Sequence, residues 1–205
     1  MKRILHSLAL LAALGVGGAA CLGPEPELVL PVEEPELRPL TLKDHRSGAV
    51  IRRWSVLVYP DGRQLKHGKD RRWYPNGSRL SEEEFDHGEQ VGELRRWYRN
   101  GRRQSEASFD PEGGLTPMTF WHENGQLAAS GQGRRGRREG YWEHWYPGGQ
   151  PRERGGYIDG TRSGLWILFY EDGSTRSIGR FQEGTRVGPW RHFEPGERFE
   201  ADSDG

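Results

Sequence analysis

Four tryptophans at 24-residue spacing are the side chains in this sequence best suited to hold a ligand. An exposed Trp ring can stack on a sugar ring, which would suit a cell-wall glycan. Aromatic rings also fill protein cores, where each buries about 150–250 Å², and we expect that role for Trp142, Trp166 and Trp190. A position in an exposed groove remains open for the four tryptophans of the first series. These candidate stacking residues are Trp73, Trp97, Trp121 and Trp145.

Paired arginines offer a second kind of binding chemistry. Neighbouring side chains of a strand point to opposite faces, so each pair directs at least one guanidinium outward. A guanidinium suits an acidic protein patch, a glycan or a lipid headgroup, but nearby glutamates such as Glu82 and Glu93 can also neutralise it in water. The densest basic segment spans residues 131–140. Its candidate contact residues are Arg134, Arg135, Arg137 and Arg138.

The other polar residues predict neither catalysis nor a cofactor. No histidine pair has metal-ligand spacing with a supporting cysteine or carboxylate motif, so we expect no metal. The glycine pattern at 131–136 lacks the strand and helix of a dinucleotide-binding loop. The formal net charge is zero and its two signs are mixed along the chain, which argues against a nucleic-acid partner.

The first twenty residues have the pattern of an export signal. Lys2 and Arg3 precede an apolar run over residues 4–16 and then four small residues. That run is too short to span a bilayer, which takes about 20 apolar residues. We therefore predict a signal peptide over residues 1–20.

Cys21 is the only cysteine and directly follows this leader. Its position resembles the lipobox of bacterial lipoproteins, although Gly18 stands where that motif usually has leucine. The resemblance implies acylation of Cys21 and anchoring to a membrane. Leu22 in the next position implies sorting to the outer membrane, with the domain facing the periplasm or the cell surface. An ordinary secretory leader with an unmodified cysteine is the alternative.

Composition divides the mature chain into three parts. Residues 21–40 interleave prolines with glutamates, which favours an extended tether that starts at the acylated cysteine. Residues 41–196 hold the repeats and are predicted to form the folded domain. Residues 197–205 are acidic and predicted to be disordered.

Glycines and aromatic residues recur along the predicted domain with a period of 24 residues. A fixed period of this length is the signature of a repeat array, in which each unit buries its apolar face against its neighbours. One aromatic series comprises the four candidate stacking residues, and two glycine series run in register with it. The glycines are Gly77, Gly101, Gly125, Gly149 and Gly173, and also Gly140, Gly164 and Gly188.

Each unit predicts one β-hairpin. Residues 165–170 are rich in strand formers, residues 171–174 form an Asp-Gly turn, and residues 175–181 form the return strand. A second glycine turn over residues 184–188 leads to the next unit, because glycine adopts positive φ without strain. The sequence therefore predicts an all-β fold, an elongated antiparallel meander of β-hairpin repeats in a single-layer twisted sheet.

The unit that begins at Gly164, with Trp166, Tyr170 and Phe181 in its aromatic positions, resembles a MORN repeat. It more closely resembles the bacterial variant called the YwqK antitoxin family, and the resemblance covers residues 54–196. Such proteins are extended sheets of hairpins that act as scaffolds, protein-binding surfaces or membrane-associated modules. The antitoxin name concerns cytoplasmic partners of toxins, a role against which the export leader argues.

These observations predict a non-catalytic exported lipoprotein whose repeat scaffold binds a protein partner at the cell envelope. A cell-wall glycan-binding repeat protein is the first alternative. An antitoxin or immunity-type partner of a toxin is the second.

Overall fold

A computed structural model of the protein describes residues 33–197. These residues form one open antiparallel sheet of 14 strands in which strands that follow each other in the chain pair with each other, apart from the short β3, which pairs only with β2. The predicted fold class, an antiparallel meander of hairpins, is confirmed. The strands are β1 (Glu36–Lys43), β2 (Val50–Val58), β3 (Gln64–Lys66), β4 (Gly68–Trp73), β5 (Arg79–Asp86), β6 (Glu89–Trp97), β7 (Arg103–Phe109), β8 (Leu115–Trp121), β9 (Leu127–Arg134), β10 (Arg137–Trp145), β11 (Pro151–Ile158), β12 (Thr161–Phe169), β13 (Thr175–Gln182) and β14 (Thr185–His192).

The sheet begins earlier than the sequence predicts. β1 starts at Glu36 and pairs with β2, with Leu40 opposite Trp54, so placing all of residues 21–40 in the tether was wrong for its last part. An edge strand can hold a proline such as Pro39 because one side of its backbone has no partner strand. Within residues 33–197 the structure contains no helix long and apolar enough to cross a membrane. The predicted signal peptide, Cys21 and most of the acidic tail lie outside the described residues.

The first turn of each repeat has one conserved geometry within the chain. The Gly77 amide donates to the Tyr74 carbonyl at 2.9 Å, and the Tyr74 amide donates to the Ser78 carbonyl at 2.9 Å. Gly77 has a φ of 84°, which glycine adopts without a steric cost. The same two bonds recur at the turns of the next four repeats. The glycines at this position, all with positive φ, are Gly77, Gly101, Gly125, Gly149 and Gly173.

The second glycine series lies inside strands rather than in turns. Glu183 and Gly184, with φ of 49° and 79°, form the link between β13 and β14. Gly188 then lies within β14 at a φ of 64°, beside a register shift in the pairing with β13. The predicted turn over residues 184–188 was therefore wrong. A β-bulge explains the glycine instead, and Gly140 and Gly164 adopt the same conformation in β10 and β12.

A hydrogen-bond ladder joins each of these turns to the next repeat. The Tyr74 hydroxyl donates to the Trp97 carbonyl, 23 residues further along the chain, at 3.0 Å. His122 occupies the tyrosine position in one repeat, and its Nε2 lies 2.8 Å from the Trp145 carbonyl. Because a carbonyl only accepts, that nitrogen carries the proton. The other members of the ladder are Tyr98 to Trp121, Tyr146 to Phe169 and Tyr170 to Phe193.

One face of the sheet, here called the buried face, holds the core. Trp142 and Trp166 are both fully buried at 0% exposure. Each ring lies directly on the backbone of a glycine in the preceding strand, so a Cβ at Gly131 or Gly155 would stand within 2.5 Å of the ring atoms. The core series at 24-residue steps, here called the core column, is Asp70, Leu94, Met118, Trp142, Trp166 and Trp190.

Cations cover the outer edge of these rings. The guanidinium carbons of Arg138 and Arg162 lie 4.6 Å and 4.4 Å from the ring centroids of Trp142 and Trp166. A cation over a tryptophan face contributes about 0.5–2 kcal/mol, depending on how far it is desolvated. The long arginine side chains thus shield the rings from water while their charges stay at the edge.

Candidate binding face

The opposite side of the sheet, here called the open face, carries the four candidate stacking residues. Trp145 follows Trp142 by three residues within β10, and strand alternation places the two rings on opposite faces. Trp145 is half-buried, whereas Phe169 and Phe193, which continue its series, are buried at 9% and 8% exposure. The half-buried rings of the open face are Trp73, Trp97, Trp121 and Trp145.

Arginines lie next to three of these four rings. The Arg53 guanidinium carbon is 5.9 Å from the centroid of the Trp73 ring. Arg79 and Arg103 lie 5.7 Å and 5.5 Å from the centroid of Trp97, and Arg103 also lies 5.9 Å from that of Trp121. These rings and guanidinium groups therefore form one line along the open face, here called the Arg–Trp row. Its members are Trp73, Trp97, Trp121, Arg53, Arg79 and Arg103.

Glutamates neutralise part of the neighbouring charge. Arg71 donates to Glu82 at 2.7 Å and Arg95 donates to Glu106 at 3.0 Å. The hydrogen bond from Arg71 holds the pKa of Glu82 below its ordinary value despite partial burial. Within residues 33–197, Arg53 forms no ion pair. Arg103 is itself paired with Glu106 at 2.5 Å, so the uncompensated positive charge of the Arg–Trp row lies at Arg53, beside Trp73.

The predicted basic contact is divided between the two faces. Arg134 donates to the Gly113 carbonyl at 2.9 Å, and Arg137 pairs with Asp159 at 2.7 Å. Arg134, Arg135 and Arg137 line an open cavity of about 540 Å³ together with Glu112 and Asp159. Arg138 instead covers Trp142 on the buried face, so it does not belong to this cavity. Two carboxylates thus offset two of the three positive charges of this cavity, which leaves an excess of one positive charge.

Two buried carboxylates escaped the sequence analysis. Asp70 is 2% exposed and lies 2.7 Å from Arg52 and 3.2 Å from Lys66. Glu153 is 8% exposed and accepts two hydrogen bonds from Arg162, at 2.8 and 2.7 Å. The equivalent positions of neighbouring repeats, 24 residues away, hold smaller or apolar side chains. This departure from the repeat was the signal that could have identified the two carboxylates.

His144 lies beside Glu153 on the buried face, with 4.0 Å between its Nδ1 and the carboxylate. Its ring is 4% exposed and approaches Arg138 at 3.1 Å through Nε2. Burial, only partly offset by Glu153, lowers the pKa of His144 to about 4. The imidazole is therefore neutral at pH 7 and packs as part of the core between Trp142 and Trp166.

A third polar group brings together side chains that the sequence analysis did not connect. His67 Nδ1, a carboxylate oxygen of Asp86 and a ring nitrogen of His87 all lie within 4.8 Å of one another. His67 and Asp86 are 19 positions apart in the chain, so no local sequence motif indicates that these side chains meet. Only the packing of the β3–β4 link against the β5–β6 turn assembles it.

The geometry defines a repeat protein built from one sheet of β-hairpins. Residues 138–159, about one unit of the repeat, match the sequence profile described as MORN repeat variant. The resemblance to a MORN-type repeat is therefore supported for that unit. No curated protein matches the chain.

Two solved structures share limited similarity with this sheet. The crystal structure of TarM aligns over 52% of this chain with 7% identity and a TM-score of 0.33, and the chain spans 20% of that protein. A protein of unknown function (BF3112) from Bacteroides fragilis NCTC 9343 aligns over 76% of this chain and 92% of its own, with 8% identity and a TM-score of 0.16. Neither similarity carries an argument about function.

Proposed function

We propose that this chain is a non-catalytic exported lipoprotein whose repeat scaffold binds a protein partner at the cell envelope through the Arg–Trp row. The carrying observation is that Trp73, Trp97 and Trp121 stay half-buried in line with Arg53, Arg79 and Arg103. Tryptophan and arginine are the residues most enriched in the hot spots of protein interfaces. Rings already held by the sheet lose little conformational entropy on binding.

The charge of this row indicates the chemistry of the partner. Arg53 has no carboxylate partner within residues 33–197, and Arg79 contacts Glu82 only through a longer-range interaction. A partner surface that places carboxylates beside apolar side chains would satisfy both the guanidinium groups and the rings. We therefore expect an acidic surface that contains aliphatic or aromatic residues.

A cell-wall glycan is the second candidate, and one observation favours it. Trp145 is half-buried and lies opposite Pro151 rather than opposite an arginine. Among residues 33–197, guanidinium groups lie beside the rings of the other three tryptophans but not beside that of Trp145, so a sugar would not have to displace an arginine side chain to stack there. A single accessible ring would stack on a glycan more weakly than a row of four.

Capture experiments with the full-length chain separate these candidates. The wild-type protein and a double variant, Arg53→Gln with Arg79→Gln, are incubated with membrane extract and cross-linked. We expect the double variant to capture at least about tenfold less of the partner protein than the wild type does, because two interface arginines are removed. Arg71→Gln is the matched control, since Glu82 already neutralises Arg71.

Equal capture by wild type and double variant would contradict the Arg–Trp row as the binding site. Sedimentation with purified peptidoglycan that Trp145→Ala abolishes would support the glycan instead. A toxin as the captured partner would support the antitoxin interpretation.

The anchor is tested separately. The proposal assigns acylation to Cys21, from its position after the leader. Metabolic labelling with a fatty acid should mark the wild-type chain and leave Cys21→Ser unlabelled. Equal labelling of both chains would exclude Cys21 as the acylated residue, while loss of the label with retained membrane association would point to an anchor of another kind.

A further inference from the structure

We propose that His67, Asp86 and His87 bind one divalent transition-metal ion of the zinc class. Their ligand atoms lie within 4.8 Å of one another. Two imidazoles and one carboxylate form a ligand set suited to zinc and to the neighbouring transition metals. Nothing in the Arg–Trp row is needed for this site, which lies at a turn between strands.

The distances converge on one oxygen atom. His87 Nδ1 lies 2.6 Å and His67 Nδ1 lies 3.2 Å from the same Oδ1 of Asp86, and the two rings meet edge to face with centroids 5.2 Å apart. His67 Nδ1 is buried and forms no regular hydrogen bond. A metal ion placed among the three atoms would satisfy that nitrogen and take up the charge of the carboxylate.

The fold holds the three ligands in place through backbone contacts. The Gly88 amide donates to the Lys66 carbonyl at 2.8 Å, which ties the β5–β6 turn to the residue before His67. On the other side, Gly68 pairs with Phe85, the residue before Asp86. The backbone hydrogen bond between Lys66 and Gly88, which are next to His67 and His87 in the chain, therefore holds the two histidines close together. The side chains of Asp86 and His87 are 58% and 57% exposed, so an ion can reach them from solvent.

The group is not a general property of the repeat. In a later unit Glu139 occupies the position of His67, and its carboxylate accepts the Asp159 amide at 2.9 Å. The contact between the positions equivalent to His67 and His87 therefore recurs in that unit, but the set of metal ligands does not. The residues that replace His67, Asp86 and His87 in the following units are Val91, Asp110 and Pro111, then Leu115, Arg134 and Arg135, then Glu139, Ile158 and Asp159, and finally Ser163, Gln182 and Glu183.

A site with three protein ligands leaves a further coordination position for water or for a group of another molecule. Here the ion would also join the β3–β4 link to the β5–β6 turn. Because binding then occurs only in the folded state, the metal should stabilise the first repeats. Stability thus gives a second readout that is independent of any partner.

The test is a calorimetric titration of the full-length chain with Zn²⁺ after removal of metal with a chelator. Cys21→Ser serves as the background, so that the thiol cannot contribute a ligand. We expect one Zn²⁺ per chain, and an affinity at least about tenfold lower for His67→Ala, Asp86→Asn and His87→Ala. His45→Ala, an exposed histidine outside the group, is the matched control and should bind as the background does.

Thermal unfolding completes the test. Zn²⁺ should raise the unfolding midpoint of the background and of His45→Ala but not of His87→Ala, and circular dichroism without metal verifies that the variants keep the sheet. Absence of Zn²⁺ binding in the background would overturn the proposal. Unchanged affinity and stabilisation in the three ligand variants would overturn it as well.

Discussion

Strands β9 to β14 and strands β4 to β7 fill the same column of the buried face with different chemistry. In the later strands the core column holds Trp142 and Trp166, both fully buried against glycine. In the earlier strands it holds Leu94 and Asp70, and Asp70 is surrounded by Arg52, Lys66 and Arg72. The core column is therefore filled by apolar rings in the later strands and by a buried carboxylate with its cations in the earlier ones, while the ion pair between Glu153 and Arg162 lies beside the column in the later strands.

The residue of the preceding strand on which each core-column side chain packs also differs along the sheet. Each tryptophan lies on a glycine of the preceding strand, whereas Met118 pairs with Ala107. A flexible methionine leaves room for a methyl group that a flat ring does not. Replacing a buried ion pair with apolar residues is often neutral or stabilising, so we expect the later strands to be the more stable part.

The largest expected effect is on the tryptophan part. Trp166→Ala should lower the free energy of unfolding by about 3–5 kcal/mol, since a large buried side chain leaves a cavity. The equivalent Leu94→Ala should cost about 2 kcal/mol, because Leu94 is only half-buried. Denaturant unfolding followed by circular dichroism measures both. Similar losses at the two positions would remove the distinction between the two parts.

A smaller loss of stability is expected when the glycine that packs against Trp166 is replaced by alanine. Ala at position 155 would place its Cβ 2.4 Å from the Trp166 ring, so Gly155→Ala should cost about 1–3 kcal/mol through overpacking. The reverse change in the earlier part, Ala107→Gly, should cost only about 0.5–1 kcal/mol. The same unfolding measurement applies. Gly148→Ala, with open space around the new methyl group, is the control and should change stability by less than about 0.5 kcal/mol.

Acid should weaken the two parts in different pH windows. The pKa of His144 falls from 6.5 to about 4 on folding, so the unfolded chain binds more protons and the later part loses stability as pH decreases from 6.5 towards 4. Burial alone would raise the pKa of Asp70, but hydrogen bonds from Arg52 and Lys66 bring it below 3.8. Stability from Asp70 is therefore lost only as pH falls below 3.8.

Amide hydrogen exchange of β4–β5 and β12–β13 at a series of pH values measures this difference. His144→Leu, which introduces the residue found one repeat later at position 168, should remove the loss between pH 6.5 and 4 from the later strands. Asp70→Asn should remove the loss below pH 3.8 from the earlier ones. Identical pH profiles in both segments of the wild-type chain would show that these groups do not control acid stability.

The last predicted effect should be the same in both parts. Tyr98→Phe and Tyr170→Phe each delete one hydroxyl of the ladder, at 2.7 Å and 3.0 Å from its carbonyl. Each should cost about 1 kcal/mol, the net contribution of one hydrogen bond. Unfolding of the two variants side by side measures this. A clear inequality would mean that the ladder depends on the core beneath it.

The sequence predicted the meander and the turns because both depend on residues close together in the chain. Gly77 and its equivalents require positive φ wherever they occur, so their spacing alone defines the hairpins. The bulges at Gly140, Gly164 and Gly188 were misassigned because glycine marks a turn and a bulge in the same way. The series of Gly131, Gly155 and Gly179 could have been found from its spacing, but its function depends on rings in the next strand.

The candidate site was less accessible to sequence reasoning. Arg138 and Arg137 are neighbours, yet one covers Trp142 while the other pairs with Asp159. Only strand register decides which face each side chain meets. The same holds for His67 and Asp86, which the β3–β4 link brings together although they are 19 positions apart in the chain.

The ladder of turn hydroxyls also has a genetic consequence. Every bond in it connects a side chain to a backbone atom 23 positions ahead, and a carbonyl acceptor is available whatever residue supplies it. Duplication or loss of a DNA segment that encodes 24 residues would leave each donor opposite an acceptor. Such an array can change length by recombination between its own units without a compensating point mutation.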